Sequence, residues 1–476
     1  MARGLRDRRA KIIVTLGPST DDDRILEPML RAGMDGCRLN FSFGTPEEHV
    51  ARIKRIRGLS DQVRCRPIAI IADIPGRKVR VGRLEDGIIH LKTGATVTFT
   101  RDIAEREADT LPVDPRFFHD NMARGDQILL ANGVVELQVE RVEEKRVEAR
   151  VVYGGDVREG TGVHVPGMLL RGNPITDEDL TFLRLAVEHR VDYVALSYVT
   201  NASDIVQVRE KLEELGRVIP IIAKIDRPEA FSRLDGILTR SDAVMIRRGD
   251  LGAQIEVTRV PLVQKQILRL ASQRGVPVII ATQMLGSMIA NPRPTRAEAS
   301  DVSHAIADGA DGVLLSTETA IGQYPVESVS MMARIIKETE RERFEKTPKY
   351  LTETTDAPFA DATARIACLA AEQTGARLIA CFTESGRTAQ LVAKYRPSVP
   401  VIAFCSDEGP RRRLAMVWGI RTNRLDVAKN VERMVELVVE RLISRGLAQP
   451  SDRIVIVFGA PVGVVGKTNS VRLHEI

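Results

Sequence analysis

The sequence predicts an α/β protein: a (β/α)8 barrel interrupted by a small β domain and followed by an open α/β domain. Three observations carry this expectation. Eight short apolar runs each lead into a helical segment, and eight βα units close a parallel barrel. The rhythm breaks from about Arg83 to Val163, where apolar and polar residues alternate instead. From about Thr347 a second series of helices and strands begins, as a separate sheet with its own core requires. The division that follows is 1–72 with 164–346 for the barrel, 73–163 for the insertion and 347–476 for the last domain.

Taken in order, Lys11 to Pro18 (KIIVTLGP) is an apolar run closed by Gly-Pro, hence a strand and a turn. Asp21 to Met34 has helical spacing with acids in its first turn. Gly36 to Ser42 is the second strand, and its period of two puts Arg38, Asn40 and Ser42 on one face. A helix from Pro46 to Leu59 leads to a third strand, Pro67 to Asp73, which Ile74-Pro75-Gly76 breaks. Inside the insertion, Val134 to Tyr153 reads as an antiparallel hairpin with one wet face. After Thr176 five more strands follow: Asp192–Val199, Ile219–Ile225, Asp242–Ile246, Pro277–Thr282 and Gly312–Ser316. Helices at Asp177–His189, Ala202–Leu215, Val260–Arg274 and Arg296–Asp308 lie between them. A helical connector, Pro325 to Glu345, leads to the last domain. There helices at Ala362–Gln373, Ala389–Tyr395 and Val431–Ser444 alternate with strands at Leu378–Phe382, Val399–Phe404 and Arg453–Phe458.

Bulk properties exclude several function classes. With 476 residues, 43% of them apolar, the chain has room for roughly three globular domains. Sixty-nine basic residues against 64 acidic ones leave +5, too close to balance for a nucleic-acid or membrane partner. Arg3, Arg6, Arg8 and Arg9 are not followed by an apolar core, so they do not read as a signal peptide. The five cysteines form no CxxC pair, which argues against zinc and a disulfide framework and for the cytoplasm.

Barrels of this kind work at the C-terminal ends of their strands. Arg38, Asp73, Lys224, Asp226, Asp250, Thr282 and Glu318 all fall there. The richest stretch is AVMIRRGDLG, Ala243 to Gly252. Gly249 lets the backbone approach a ligand, Asp250 offers a hard oxygen suited to Mg²⁺, and a helical turn starting there would aim N–H groups at an anion. The plainer reading is a strand-to-loop turn. Lys224 and Asp226, two apart, point the same way. A cation beside a metal-binding carboxylate suits phosphoryl transfer, and the plainer reading is an ion pair on the rim. Arg38 could clamp a phosphate or carboxylate or form a barrel salt bridge. Thr282 could face a ligand or bond its own backbone. No His spacing suits a metal or a catalytic triad. Gly463 to Thr468 comes near a P-loop, but Pro461 stands where its first glycine is needed and only eight residues follow.

Several motifs, in order along nearly the whole chain, resemble one family. They are KIIVTLGPST, RLNFS at Arg38–Ser42, GRKVRVG, KID at Lys224, RRGDLG at Arg247–Gly252 and ATQML at Ala281–Leu285. NPRPTRAEASDV at Asn291–Val302, STETAIGQYP at Ser316–Pro325, TESGRTA and GVVGKTN complete the set. Together they are similar to pyruvate kinase. The resemblance implies a mobile β-barrel lid for the insertion and phosphoryl transfer from phosphoenolpyruvate to ADP, giving pyruvate and ATP. It implies Lys224 as stabiliser of the phosphoryl in flight, with Arg38 and Thr282 beside the substrate and the backbone of Gly249 and Asp250 on its carboxylate. Asp226 and Asp250 would hold Mg²⁺, or Mn²⁺ in its place; Asn40 and Arg80 would lie on the nucleotide side. The loop Thr383, Ser385, Gly386, Arg387 and Thr388 would take a phosphorylated effector, and the assembly would be a homotetramer.

The departures from that family pattern carry their own expectations. K⁺ would sit near Asn40, Ser42, Asp73 and position 74, beside a Glu at position 78; here Ile74 and Lys78 stand at the last two. The Lys78 ammonium is expected to replace the ion, so that K⁺ is not required. Asp226 stands where Glu is usual, and Arg247 replaces a small residue, placed to crowd the site or pair with Asp226. In the eighth strand Thr317 replaces another small residue. Phe43, Ala131-Asn132 and Thr161 replace usual His, acidic and Lys positions on the nucleotide side, which implies weak or altered nucleotide use. Two alternatives stay open: a relative that binds phosphoenolpyruvate and Mg²⁺ but turns over poorly, and an Mg²⁺-dependent barrel lyase working through a pyruvate enolate.

Overall fold

The computed structural model describes residues 8–63, 67–77, 79–100, 110–114, 118, 121–143, 146–168, 174–346, 358–461 and 466–476. Lys78, Cys65, Arg3, Arg6 and 463–465 of the P-loop-like segment lie outside them. The first to eighth barrel strands are Lys11–Leu16, Gly36–Asn40, Ala69–Ile74, Tyr193–Leu196, Ile221–Ile225, Ala243–Arg247, Val278–Ala281 and Gly312–Leu315. They form one closed ring, the first strand pairing in parallel with the eighth from Lys11↔Gly312. Period two gives each strand two buried faces. Ile12 and Val14 pack under the outer helices. Ile13, Ile71, Ile222, Met245, Ile279 and Leu314 fill the interior.

The helices begin where the sequence carries caps. Thr176, Asn201 and Thr295 each close a capping box, with Asp179, Asp204 and Glu298 as the reciprocal acids. The helix Pro325–Lys346, expected as a connector, instead packs against Asp23–Ala32 and Arg296–Ala307, so it is the last helix of the barrel's outer ring.

The insertion leaves after the third strand, which runs through Ile74, one residue beyond the expected break. It is a separate curled sheet of six strands, with a two-stranded ribbon beside it. The expected hairpin is present, Val135–Val142 against Arg146–Tyr153. Phe99, Phe118, Leu137 and Val147 give this unit its own core.

The last domain is a five-stranded sheet in the order Ile420–Arg424, Val401–Cys405, Leu378–Phe382, Arg453–Phe458, Ser470–Glu475. Four strands run parallel and the last is antiparallel. Its two outer strands and the helix Glu408–Leu414 are additions to the sequence reading. The outer strands IRTNR and SVRLHE are mostly polar because each is an edge, so no apolar run announced them. Where a P-loop would need a helix the chain forms the strand Ser470–Glu475, and Thr468 bonds Thr388 at 2.6 Å.

This domain also closes the floor of the barrel. Met416 is buried with Ile13, Ala69 and Tyr193 in the barrel's interior cluster. A Cβ on Gly36 would lie 2.6 Å from the Met416 sulfur, so any larger residue there would force the thioether to shift. Tyr193 donates to the Arg413 carbonyl at 3.1 Å. Asp192 accepts from Arg57 of the barrel at 2.6 Å and from Arg412 of the last domain at 2.8 Å.

Candidate active site

Asp73, next to last in the third strand, is buried, and both its oxygens meet cations. Oδ1 accepts from the Lys224 ammonium at 2.7 Å and Oδ2 from Arg38 Nε at 2.5 Å. Burial would raise the Asp73 carboxyl, but Lys224 and Arg38 outweigh it and hold it at about 2. Burial lowers the Lys224 ammonium below its ordinary value, an effect that Asp73 partly offsets. Lys224 also donates to Ser197 Oγ at 2.6 Å, whose hydroxyl passes to the Ile74 carbonyl at 2.8 Å. Arg38 reaches Thr15 Oγ1 at 3.2 Å. Strands two, three and five thus share one charge network at the barrel mouth. The ion partner of Lys224 is Asp73 rather than Asp226, and Arg38 forms the barrel salt bridge that was its plainer reading.

Asp226 and Asp250 form a second group one strand further round. Both are buried. Asp226 Oδ2 accepts from the Tyr198 N–H at 3.2 Å and lies 3.5 Å from Arg247 Nη1. Arg247 Nη2 pairs with Asp250 Oδ2, and His164 Nε2 stands 3.5 Å from Asp250 Oδ1. Asp226 Oδ1, although buried, has no hydrogen-bond partner among the described residues. An orphaned carboxylate oxygen here costs free energy unless something hard and positive meets it. Two hard carboxylates with an unspent oxygen suit Mg²⁺, which takes few protein ligands and completes its shell with substrate and water. The residues present therefore fit that ion.

The short helix Arg248–Gly252 starts directly from the sixth strand. Its Gly249 N–H donates to Thr282 Oγ1 at 3.0 Å. The Thr282 hydroxyl thus serves a neighbouring strand end rather than its own backbone. Thr282 and Gln283 both have positive φ, 71° and 55°, as does Tyr198 at 56°. Such backbone is costly for residues with a side chain. Here Arg248 over-determines it, donating to the carbonyls of Thr282 and Gln283 at 3.1 Å and to Asp301 at 2.6 Å.

On the lid side Arg80 lies over the Phe43 ring at 5.2 Å and donates to the Gly160 carbonyl at 2.8 Å. Burial lowers its guanidinium below the ordinary value. The Asn40 side chain accepts weakly from the Ser42 N–H at 3.4 Å. Glu318 turns inward to hold backbone N–H groups of Leu285 and Ser316, at 3.2 and 2.7 Å, so it shapes the rim. The Thr383–Thr388 loop belongs to the last domain. Gly386 N–H donates to Thr383 at 3.0 Å, Gly386 has a φ of 95°, and Ser385 and Arg387 are exposed.

The structure therefore groups Arg38, Asp73 and Lys224, and beside them Asp226, Asp250, Gly249 and Thr282. Ser197, Tyr198 and His164 were missed. Ser197 and Tyr198 sit in the SYV turn just after the fourth strand, the signal that could have found them. His164, which bridges to Leu129 of the curled sheet, had none. Comparison with known proteins gives the family. Residues 7–329 match the family model described as pyruvate kinase, barrel domain, and 361–474 match pyruvate kinase, alpha/beta domain. A pyruvate kinase of Mycobacterium tuberculosis is 38% identical over 470 residues, 98% of each chain. That of Geobacillus stearothermophilus is 38% identical over 473 residues, 98% of this chain and 80% of the relative. That of Agrobacterium vitis is 37% identical over 475 residues, 98% of each chain. With both family models matched in order on a barrel whose mouth gathers these charges, the chain belongs to the pyruvate kinase family.

Proposed function

We propose that this chain transfers the phosphoryl group of phosphoenolpyruvate to ADP, giving pyruvate and ATP, at the barrel mouth. The observation that carries the reading is the pairing of two groups on adjacent strand ends. One is a dehydrated ammonium, Lys224, bonded to Asp73 at 2.7 Å. The other is a carboxylate pair, Asp226 and Asp250, with an unspent oxygen. Phosphoryl transfer asks for positioned positive charge and little covalent help. Lys224 and Arg38, dehydrated before substrate arrives, would share the charge of the moving group. Thr282 keeps the Gly249 N–H satisfied in the free protein; by rotating, its hydroxyl would release that N–H to the substrate carboxylate and stay beside it. Asp226 and Asp250 would hold Mg²⁺ or Mn²⁺, which when bound supplies further neutralisation of phosphate charge.

Arg80 and Asn40 would face the nucleotide, and the Arg80–Phe43 stack supports altered nucleotide contacts there. Asp73 meets two protein cations, which supports turnover without K⁺; the Lys78 part of that idea rests on the sequence. The Thr383–Thr388 loop would bind a phosphorylated effector, and homotetramer assembly and a cytoplasmic site follow the family. Among the described residues no helix is long and apolar enough to cross a membrane. The division into 1–72 with 164–346, 73–163 and 347–476 is part of this proposal. Neither alternative is favoured, since the kinase match runs through both domains and includes Lys224.

One coupled assay tests this: phosphoenolpyruvate, ADP and Mg²⁺, following ATP. Lys224→Met should lower kcat about a thousand-fold or more, and an unchanged rate would overturn the proposal. Exchanging Na⁺ or Tris for K⁺ should alter the wild-type rate less than about twofold; a many-fold rise would remove the K⁺ reading. Added sugar phosphates should shift the substrate dependence in wild type and not in Arg387→Ala.

A further inference from the structure

Arg247 ends the sixth barrel strand, and its guanidinium lies between the two carboxylates assigned to the metal. Nη1 is 3.5 Å from Asp226 Oδ2 and Nη2 pairs with Asp250 Oδ2. The side chains of Arg247, Asp226 and Asp250 are 14%, 0% and 5% exposed, so water does little to neutralise this acid pair. We infer that Arg247 is a built-in counter-cation, holding the divalent-ion position in the resting protein and leaving it when metal binds. This rests on the reading of Asp226 and Asp250 as the metal ligands.

Two buried carboxylates at neighbouring strand ends cannot both stay ionised without positive charge close by. A guanidinium and a divalent cation answer the same need, so each must weaken the other's hold. The fit of Arg247 is also incomplete. Its contact with Asp226 is long, and Asp226 Oδ1 has no hydrogen-bond partner among the described residues. A planar fork built to satisfy this pair would reach both oxygens in bidentate fashion. The site thus keeps an oxygen in reserve that the arginine does not use. Arg247 further stands among cations, with Lys224 and Arg80 close enough to feel its charge. Once displaced, its favourable partner is an incoming phosphate. Metal alone should therefore bind weakly, and metal with a phosphate-bearing substrate more tightly.

The test is Mn²⁺ titration of the substrate-free protein, with free Mn²⁺ read by electron paramagnetic resonance. Arg247→Ala should bind Mn²⁺ at least about tenfold more tightly than wild type, and Arg247→Lys should fall between, since one ammonium cannot span both acids. Arg247→Ala should also melt at lower temperature without metal and recover with Mn²⁺. Equal or weaker Mn²⁺ binding in Arg247→Ala overturns the inference and leaves the metal site standing. Should Asp226→Asn fail to reduce Mn²⁺ binding, or should no variant bind it, the metal site itself falls and the inference with it. If Arg247→Ala does not fold, the Arg247→Lys titration and the Mn²⁺-loaded wild-type structure decide. A guanidinium still paired with both carboxylates in that structure would sink the idea.

Discussion

At the scale of residues, Asp73 governs the response to acid. Its carboxyl is held at about 2 against an unfolded value near 3.9. A lowered acid stabilises the fold above its unfolded value, and that contribution is lost as pH falls through the folded one. Unfolding free energy should therefore drop between about pH 4 and pH 2, and the drop should shrink in Asp73→Asn when urea melts are compared across that window. Most members of this site were legible because a barrel strand end leaves few directions for a side chain. Lys224, Asp226, Asp250 and Thr282 were found that way. What the sequence could not show was who pairs with whom. Lys224 and Asp226 are two residues apart, yet their partners, Asp73 and Arg247, come from other strands. Such pairing depends on ring closure and is invisible in local spacing.

At the scale of elements, the eight strands were readable because both faces of each are buried and the runs are apolar throughout. Helix starts were readable from caps such as Thr176 and Thr295. Strand ends were less so: the third runs through Ile74, a residue the Pro75-Gly76 signal had excluded. Close approaches between elements were not readable at all. Gly17 follows the first strand, and a Cβ there would lie 2.6 Å from the Ala320 carbonyl oxygen after the eighth. Backbone cannot yield as a side chain can, so Gly17→Ala should cost about 1–3 kcal/mol by overpacking. Calorimetry should show this as a melting temperature lower by several degrees, and an unchanged value would mean that the seam between those two strands is looser than it looks.

At the scale of the whole molecule, three units were visible as changes of rhythm, but their contacts were not. Asp192 is the main example. It reads as the first residue of a strand, yet it binds Arg57 within the barrel and Arg412 across the domain boundary. Removing it leaves two partly buried guanidinium groups uncompensated, at a cost of about 3–5 kcal/mol. Asp192→Ala should split thermal unfolding into two calorimetric transitions, one for the barrel with its insertion and one for the last domain, where wild type gives one. A single unsplit transition would show that other contacts suffice. Met416 extends the same point. A thioether supplied by one folded unit is the cork of another, seated beneath Ile13 and Tyr193. Tilting the last domain draws that cork and opens an empty space under the reaction chamber, which close-packed interiors resist. Any displacement of the distant sheet would therefore be felt, from below, by the barrel floor that Met416 completes.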